Sequence, residues 1–422
     1  METIKQVKRV ITQPSVYKSR FMPDCHKGMG VCIGFTSILQ DKIVPRYLGG
    51  DIGCGILAYN VGKDFPLKKL KRFDTLLRER VPMGGGKYGI WDVPRATDVN
   101  LETICKSAQA LAEEFATAFT KKFSKPEIWD FVPSYSKEWM KTLCSKIRSS
   151  LEYDLRGLGT LGGGNHFWEI DQEEETGNIY FVVHSGSKSL GSLVCKYHQA
   201  KIDDISRFDY DTFHTELKQF KRKNKNPKAL KQFTEDLRKA LEEKQHPLYL
   251  EGAEAYEYFF DLLFTQKYAQ MNRRMMIDAM LEVFGLPYEP EKEIESVHNY
   301  LDFRDFVLRK GAISAHEGEL CLISLNMRDG LLLAKGKGNE DWNFSCAHGA
   351  GRAVPRQKAF RTFKLKEFEK EMAGIYSSTV IPGVLDEAPM AYKESSFIEA
   401  RIEPTVEILG HWKPILNAKG VG

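Results

Sequence analysis

The chain has 422 residues, with 61 Lys+Arg against 57 Asp+Glu for a net charge of +4, and 42% of its side chains are apolar. That apolar share, with 25 Phe, 17 Tyr and 6 Trp, supplies a sizeable core and excludes a disordered chain. A net charge this small also excludes a protein held on nucleic acid by bulk charge alone.

Met1–Val10 alternates charged and apolar residues and lacks the apolar stretch of a signal peptide. No apolar run approaches the ~20 residues a membrane span needs. The expectation is a soluble, cytoplasmic protein with no membrane partner. The eight cysteines (25, 32, 54, 105, 144, 195, 321 and 346) include no CxxC pair, so they read as reduced thiols, some of them candidate metal ligands.

Glycine clusters at Gly28–Gly34, Gly49–Gly55, Gly84–Gly86, Gly157–Gly164, Gly186–Gly191 and Gly336–Gly351. Loops of this kind let backbone approach a ligand closely. Leu101, Ile104, Ala108, Leu111, Phe115 and Phe119 recur at three and four, predicting a helix with Asn100 as N-cap. Phe167–Ile170 and Tyr180–His184 read as strands joined across the turn residues Glu175–Asn178. A charged helical stretch at about 199–245 reads as a surface insertion. A longer helix is expected from about Ala253 to Phe284, stopped by Gly285-Leu286-Pro287. With no repeat and no linker, the expectation is one α+β domain over 1–422: a mixed sheet core with helical additions.

The common templates fail. The chain has no GxxxxGK[ST], no GxSxG and no HExxH, and Gly28–Gly34 misses the dinucleotide-binding spacing by one residue. Five segments instead set a metal-competent or nucleophilic side chain beside glycine or at a strand end. They are Asp51-Ile-Gly-Cys54, Gly164-Asn165-His166, His184-Ser-Gly-Ser, His298-Asn299 and His348-Gly-Ala-Gly-Arg352. One carboxylate, one thiol and three imidazoles form a ligand set for one or two divalent ions, and softness alone favours zinc. Each histidine taken singly is more often a hydrogen-bonded core residue, and Asp51 and Cys54 have turn-cap and packing readings; their joint placement shifts the balance. His198, His214, His246 and His411 read as surface or packing residues, and Cys25-His26…Cys32 as packing.

At His348–Arg352, two glycines expose backbone N–H groups able to cradle an anion, and Arg352 offers a fork for phosphate. A histidine at the mouth of such a nest serves as base, metal ligand or phosphoryl carrier. Lys218–Lys231 holds six lysines and one arginine without an acid. That run suits a phosphate backbone, and equally a solvated helical face.

Taken together, these segments resemble the RtcB family, the GTP- and Mn²⁺-dependent ligases that join RNA 3′-phosphate or 2′,3′-cyclic phosphate ends to 5′-hydroxyl ends. The resemblance runs in order through Met22–Gly30, Gly50–Gly55, Gly159–Glu169, His184–Lys188, Tyr268–Arg273, His298-Asn299, Arg309–Ala312, His348–Arg352, Asp386–Lys393 and Lys419-Gly420. It implies an α+β fold around a metal-lined cleft. Asp51, Cys54 and His166 would hold one Mn²⁺, and Cys54 would bridge to a second held by His184 and His298, which overrides the leaning to zinc. His348 would attack the α-phosphate of GTP and carry GMP. Asn165, His166, Phe167, Trp168, Glu169, His298, Asn299, Asn326, Met327, Gly349, Ala350, Gly351, Arg352, Tyr392 and Lys419 would bind the nucleotide, and Lys188 and Arg352 the RNA ends. The implied partner is RNA with broken ends, an activating protein being left open.

Two segments depart from the family. Ser324-Leu325-Asn326-Met327 replaces Pro-Gly-Ser-Met, which touches guanine selectivity, and Lys188 stands where many members carry Arg, losing the planar fork. Both suggest a divergent branch acting in RNA repair rather than routine tRNA splicing. The alternative is a metal-dependent RNA phosphodiesterase that has lost ligation; an RNA-binding protein with a vestigial site is the rival of another class.

Overall fold

The computed structural model describes residues 2–67, 69–84, 100–205, 210–243 and 249–420. Its centre is a seven-stranded sheet in the order Leu320–Asn326, Gly330–Gly336, Val406–Lys419, Phe167–Glu173, Ile179–Ser185, Gly55–Gly62 and Glu293–Val297. Each neighbouring pair is antiparallel. Parallel contacts occur as isolated bridges such as Ser324 with Gly349. The two edge strands approach each other, Leu322 N–H donating to Ser296 Oγ at 2.9 Å, so the sheet is nearly closed. A four-stranded sheet, Tyr17–His26, Ile33–Ile38, Val307–Lys310 and Asn299–Asp302, lies beside it. The fold is α+β.

Strand alternation sorts side chains between two cores. Trp168 and Ile170 pack with Phe181 and Val183 on one face. Phe167 on the other face packs with Tyr180 and Val182. The predicted strands at 167–170 and 180–184 are present, extended to Glu173 and Ser185.

The 33-residue helix Gly252–Phe284 is about 50 Å long at 1.5 Å per residue and crosses the molecule between packed elements. It stops where the sequence predicts. Gly285 takes φ 66°, and Leu286 N–H closes back to Leu281 C=O at 3.0 Å, satisfying a terminal carbonyl. The helix Leu101–Phe123 buries its predicted stripe except for Leu111, which is half-buried, but Asn100 does not cap it: its backbone is helical in ψ and its side chain makes no capping bond. A side-chain oxygen reaches the N2 or N3 amide only from an extended N-cap backbone.

The region at about 199–245 divides. Its start belongs to the helix Lys188–Ile205, which is anchored in the core: His198 is fully buried and sits 2.7 Å from Asp261. A separate helical hairpin follows, Tyr210–Lys223 and Pro227–Glu243. His246, Gly85 and Gly86 lie outside the described residues. Among the described residues no helix is long and apolar enough to cross a membrane.

Candidate active site

Strand register gathers the metal-competent residues. His184 pairs across with both Phe167 and Ile56, and Ile56 pairs with Ser296, so one row crosses four strands. His166 sits one residue beyond that row, and Cys54 and His298 two residues beyond it. The turn carrying Asp51 and Cys54 is tied to the opposite edge: Gly53 N–H donates to Asn299 C=O at 2.6 Å and His298 N–H to Cys54 C=O at 2.8 Å.

Cys54 Sγ lies 3.3 Å from His184 Nε2 and 3.5 Å from His166 Nε2. His184 Nε2 lies 3.3 Å from His298 Nε2, and Asp51 Oδ2 lies 3.0 Å from His166 Nε2. Two overlapping groups result, Asp51–Cys54–His166 and Cys54–His184–His298, with Cys54 common to both. Burial drives both His184 and His298 well below the ordinary imidazole range, so they are neutral. Burial and the Asp51 charge push the Cys54 thiol up. Burial opposes the charge on Asp51, but His166 outweighs it and holds the carboxyl below its usual range.

These residues fit a metal better than they fit one another. His166 Nδ1–H can only donate to Leu161 C=O, 3.0 Å away, which in the neutral ring leaves Nε2 as a bare lone pair. That lone pair faces a carboxylate and a sulfur, and His184 Nε2 lies between the same sulfur and His298 Nε2. Such a concentration of buried lone pairs calls for a cation. Ligands 2.0–2.3 Å from one ion lie roughly 3–3.6 Å apart, the spacing seen here. Cys54 would give up its proton on binding.

Two buried residues of the long helix hold this loop assembly. Arg273, fully buried, donates to Gly53 C=O at 2.5 Å and Ser185 C=O at 2.8 Å, the carbonyls next to Cys54 and His184, and pairs with Glu295 at 2.7 Å. Asn272 accepts from Thr160 N–H at 2.9 Å and donates to Gly186 C=O at 2.9 Å. Position 186 must be glycine, since a Cβ there would collide with the Asp51 carboxylate.

His348 follows the short strand Ser345–Ala347, and its ring centroid lies 4.8 Å from that of His298. Its Nδ1 is 2.6 Å from Oδ2 of Asp24, a fully buried carboxylate, as a close ion-pair contact rather than an aligned hydrogen bond. With Nδ1 carrying the proton, Nε2 keeps the lone pair. Ala350 N–H is spent on Ser324 C=O at 2.9 Å, so the expected nest is narrower than the sequence suggests. Gly351 takes φ 69°, and a Cβ there would strike the Asp24 carbonyl.

A cavity of about 610 Å³ opens over both groups. Its walls include Asp51, His184, His298 and His348, together with Asn165, Phe167, Glu169, Asn299, Asn326, Met327, Gly349, Ala350, Gly351, Arg352, Tyr392 and Lys419. His166 sits beneath it in the metal group. Trp168 is not in the wall: alternation turns it into the opposite core, fully buried. Lys188 is not in the wall either. Its Nζ donates to Ser185 Oγ at 2.6 Å and to Leu161 C=O, the carbonyl that also orients His166. Asn326 spends its side chain on its own turn, accepting from Arg328 and Asp329 N–H at 3.0 Å each.

Glu387, which the sequence reading placed in the Asp386–Lys393 segment without a role, is a hub. It pairs with Arg352 at 3.0 Å, Arg356 at 2.5 Å and Lys419 at 3.0 Å, and accepts from Tyr392 at 2.6 Å. Burial opposes its charge, but Lys419, Arg356 and Arg352 win and hold the carboxyl at about 2. The stability this contributes is full above the unfolded carboxyl range near 4.5 and is lost as pH falls toward 2. Glu387→Gln should therefore lower the urea midpoint at pH 7, by about 2–3 kcal/mol in stability, with the gap to the native protein closing toward pH 3. A pH-independent gap would contradict the ionised hub. Asp24, Asn272 and Arg273 lie in segments that carry the resemblance but were given no role, and Arg356 was not singled out; no spacing rule links residues so far apart in the chain.

The chain matches the family model described as "tRNA-splicing ligase RtcB" over residues 6–420. It is 27% identical to the RNA-splicing ligase RtcB of Escherichia coli (strain K12), covering 99% of this chain and 93% of that one. Identity is 26% with the tRNA-splicing ligase RtcB of Pyrobaculum aerophilum, over 100% and 90% of the two chains, and 24% with that of Methanococcus maripaludis, over 93% and 86%.

Proposed function

The chain belongs to the RtcB family, and from that premise we propose that it is an RNA ligase joining 3′-phosphate or 2′,3′-cyclic phosphate ends to 5′-hydroxyl ends. The observation that carries the reading is His348 at the cleft, its Nδ1 on buried Asp24, beside the ligand set centred on Cys54. In this reading the site takes two Mn²⁺ ions and GTP, and the enzyme works in the cytoplasm in RNA repair or tRNA processing. Bound at Asp51, Cys54, His166, His184 and His298, the metal would neutralise triphosphate charge.

Asp24 keeps the proton on Nδ1 of His348 and stabilises the positive ring that forms as Nε2 bonds to the α-phosphorus of GTP. The bond to the β-phosphate oxygen breaks and pyrophosphate leaves. Any cyclic phosphate is first hydrolysed to a 3′-phosphate. An oxygen of that 3′-phosphate then displaces His348 from the phosphorus, giving an RNA end capped with GMP. The 5′-hydroxyl attacks the RNA phosphorus, its proton is lost, and GMP departs. The Gly349–Gly351 backbone and Lys419 line the cleft, and in this reading they hold transferred negative charge, Lys419 by giving up its pair with Glu387. Arg352 is engaged with Glu387 and with the Asp386 carbonyl, so in this reading it reaches phosphate by exchanging partners. Lys188 acts on RNA ends only indirectly, through the Leu161 carbonyl it shares with His166.

The hydrolase alternative is not favoured. A carboxylate-held imidazole would serve a hydrolase as general base too, so what weighs against this reading is the family match and the relatives named as ligases. The test is intact mass after incubation with Mn²⁺ and GTP, beside ATP and His348→Ala. A GMP-sized, acid-labile gain with GTP, absent in the variant, is expected. No gain with either nucleotide would overturn the ligase reading.

A further inference from the structure

We propose that the helical hairpin Tyr210–Lys223 / Pro227–Glu243 is a second RNA-binding site, which grips the phosphate backbone of the RNA body away from the ends being joined. This rests on the ligase reading for its ligand.

Lys218, Lys221, Arg222, Lys223, Lys225, Lys228 and Lys231 are all exposed, and no acid lies between Glu216 and Glu235. The whole chain carries only +4, so the seven cations of this acid-free run, Lys218–Lys231, outnumber its entire cationic excess. Elsewhere the exposed helices interleave charge: Lys106 pairs with Glu102, Arg156 with Glu152 and Arg274 with Asp278, each four residues apart. The hairpin tip forgoes that arrangement. Among the described residues none of its seven cations is drawn into an ion pair. Like charges this dense repel one another, a cost that a polyanion removes while releasing its counterions.

The tip is built rather than loose. Asn224 Oδ1 accepts from Asn226 N–H and Asn226 Oδ1 from Lys228 N–H, each at 3.0 Å, with Pro227 opening the second helix. Phe220 and Phe233 stack at 4.0 Å and 5°, pinning one helix to the other. The cations are thus presented on a fixed frame, at the spacing of helix neighbours.

None of the hairpin's seven cations lines the cleft. In the chain the 18-residue helix Lys188–Ile205, about 27 Å long, stands between His184 and the hairpin. An oligonucleotide of a few residues that fills the cleft would not reach the hairpin, whereas a stem-containing RNA would.

The test compares native protein with Lys221→Glu/Arg222→Glu/Lys223→Glu, and with a neutral Lys225→Gln/Lys228→Gln/Lys231→Gln variant, on a tetranucleotide and on a hairpin RNA of about 20 base pairs, both ending in cyclic phosphate. GMP uptake with GTP and Mn²⁺, in the absence of RNA, reports the cleft independently. The expected result is unchanged GMP uptake and tetranucleotide affinity, with long-RNA affinity down about 10–100-fold and the slope of log affinity against log salt shallower by about 2 in each variant. Unchanged long-RNA affinity and slope would overturn the proposal, as would equal losses on both RNAs. Unchanged RNA binding with lost binding to vesicles of 30% phosphatidylserine would assign the face to a lipid surface instead. Absent GMP uptake in the native protein counts against the ligase reading; the RNA-length comparison decides the hairpin on its own.

Discussion

If the two ligand groups hold two ions as proposed, Cys54→Ala is expected to strip both from the protein while leaving it folded. Cys54 is the one residue common to the two ligand groups, its sulfur within 3.5 Å of both His166 and His184. Removing it takes a ligand from each group at once, whereas His166→Ala or His298→Ala takes a ligand from one. Loss of a single outer support costs metal sites 10–100-fold, so loss of a shared inner ligand should cost about 10³-fold or more. The change is small in volume, and the expected loss of stability in metal-free protein is about 1 kcal/mol. Metal content by plasma mass spectrometry after Mn²⁺ loading and desalting checks the first point, and thermal melting of chelated protein the second. Two tightly held Mn²⁺ in the variant would show that the sulfur bridges nothing.

Asp24→Asn is expected to separate activity from stability. Asp24 is fully buried against His348, and neither carboxylate oxygen has an aligned hydrogen-bond donor. A buried carboxylate without an aligned donor is costly, so its neutral isostere should melt no lower than the native protein. Chemistry should suffer, because an amide presented to Nδ1 permits the wrong tautomer and cannot balance the charge that develops on the ring. In serine hydrolase triads the corresponding Asp→Asn change costs about 10⁴ in rate, and about 10³–10⁴ is expected here for GMP uptake. Metal content should be unchanged, which distinguishes this variant from Cys54→Ala. A GMP uptake rate within tenfold of native would remove Asp24 from the mechanism.

Much of the site was legible because its residues announce themselves locally. A histidine after a glycine run, at the start of a strand with period-two alternation, can be recognised from ten residues, as at Gly164-Asn165-His166. The long helix was legible to its last turn because Gly285 is a local stop signal. What stayed hidden depends on meetings between distant segments. Asp24 and Glu387 are ordinary acids until His348 and Lys419 arrive beside them. Arg273 sits in a helix whose buried face runs nearly all round, so no amphipathic pattern marks it out. Trp168 shows the converse failure. Resemblance grouped it with its neighbours Phe167 and Glu169, while the alternation of the strand sends it to the other face.

The sheet order has a bearing on synthesis. Val406–Lys419 is the strand latest in the chain, yet it lies between Gly330–Gly336 and Phe167–Glu173, inside the sheet rather than at its edge. A nascent chain that has not yet delivered it holds two separate ribbons, each with an open row of unpaired amides facing the gap. It also lacks Asn417, which donates to Glu169, and Lys419, which neutralises Glu387. Competence therefore arrives in one step, once residues 406–419 have been made and have entered the sheet. Products of premature termination should be inert and prone to edge-to-edge association, and so become substrates for proteolysis rather than half-working enzymes that cut RNA ends without sealing them.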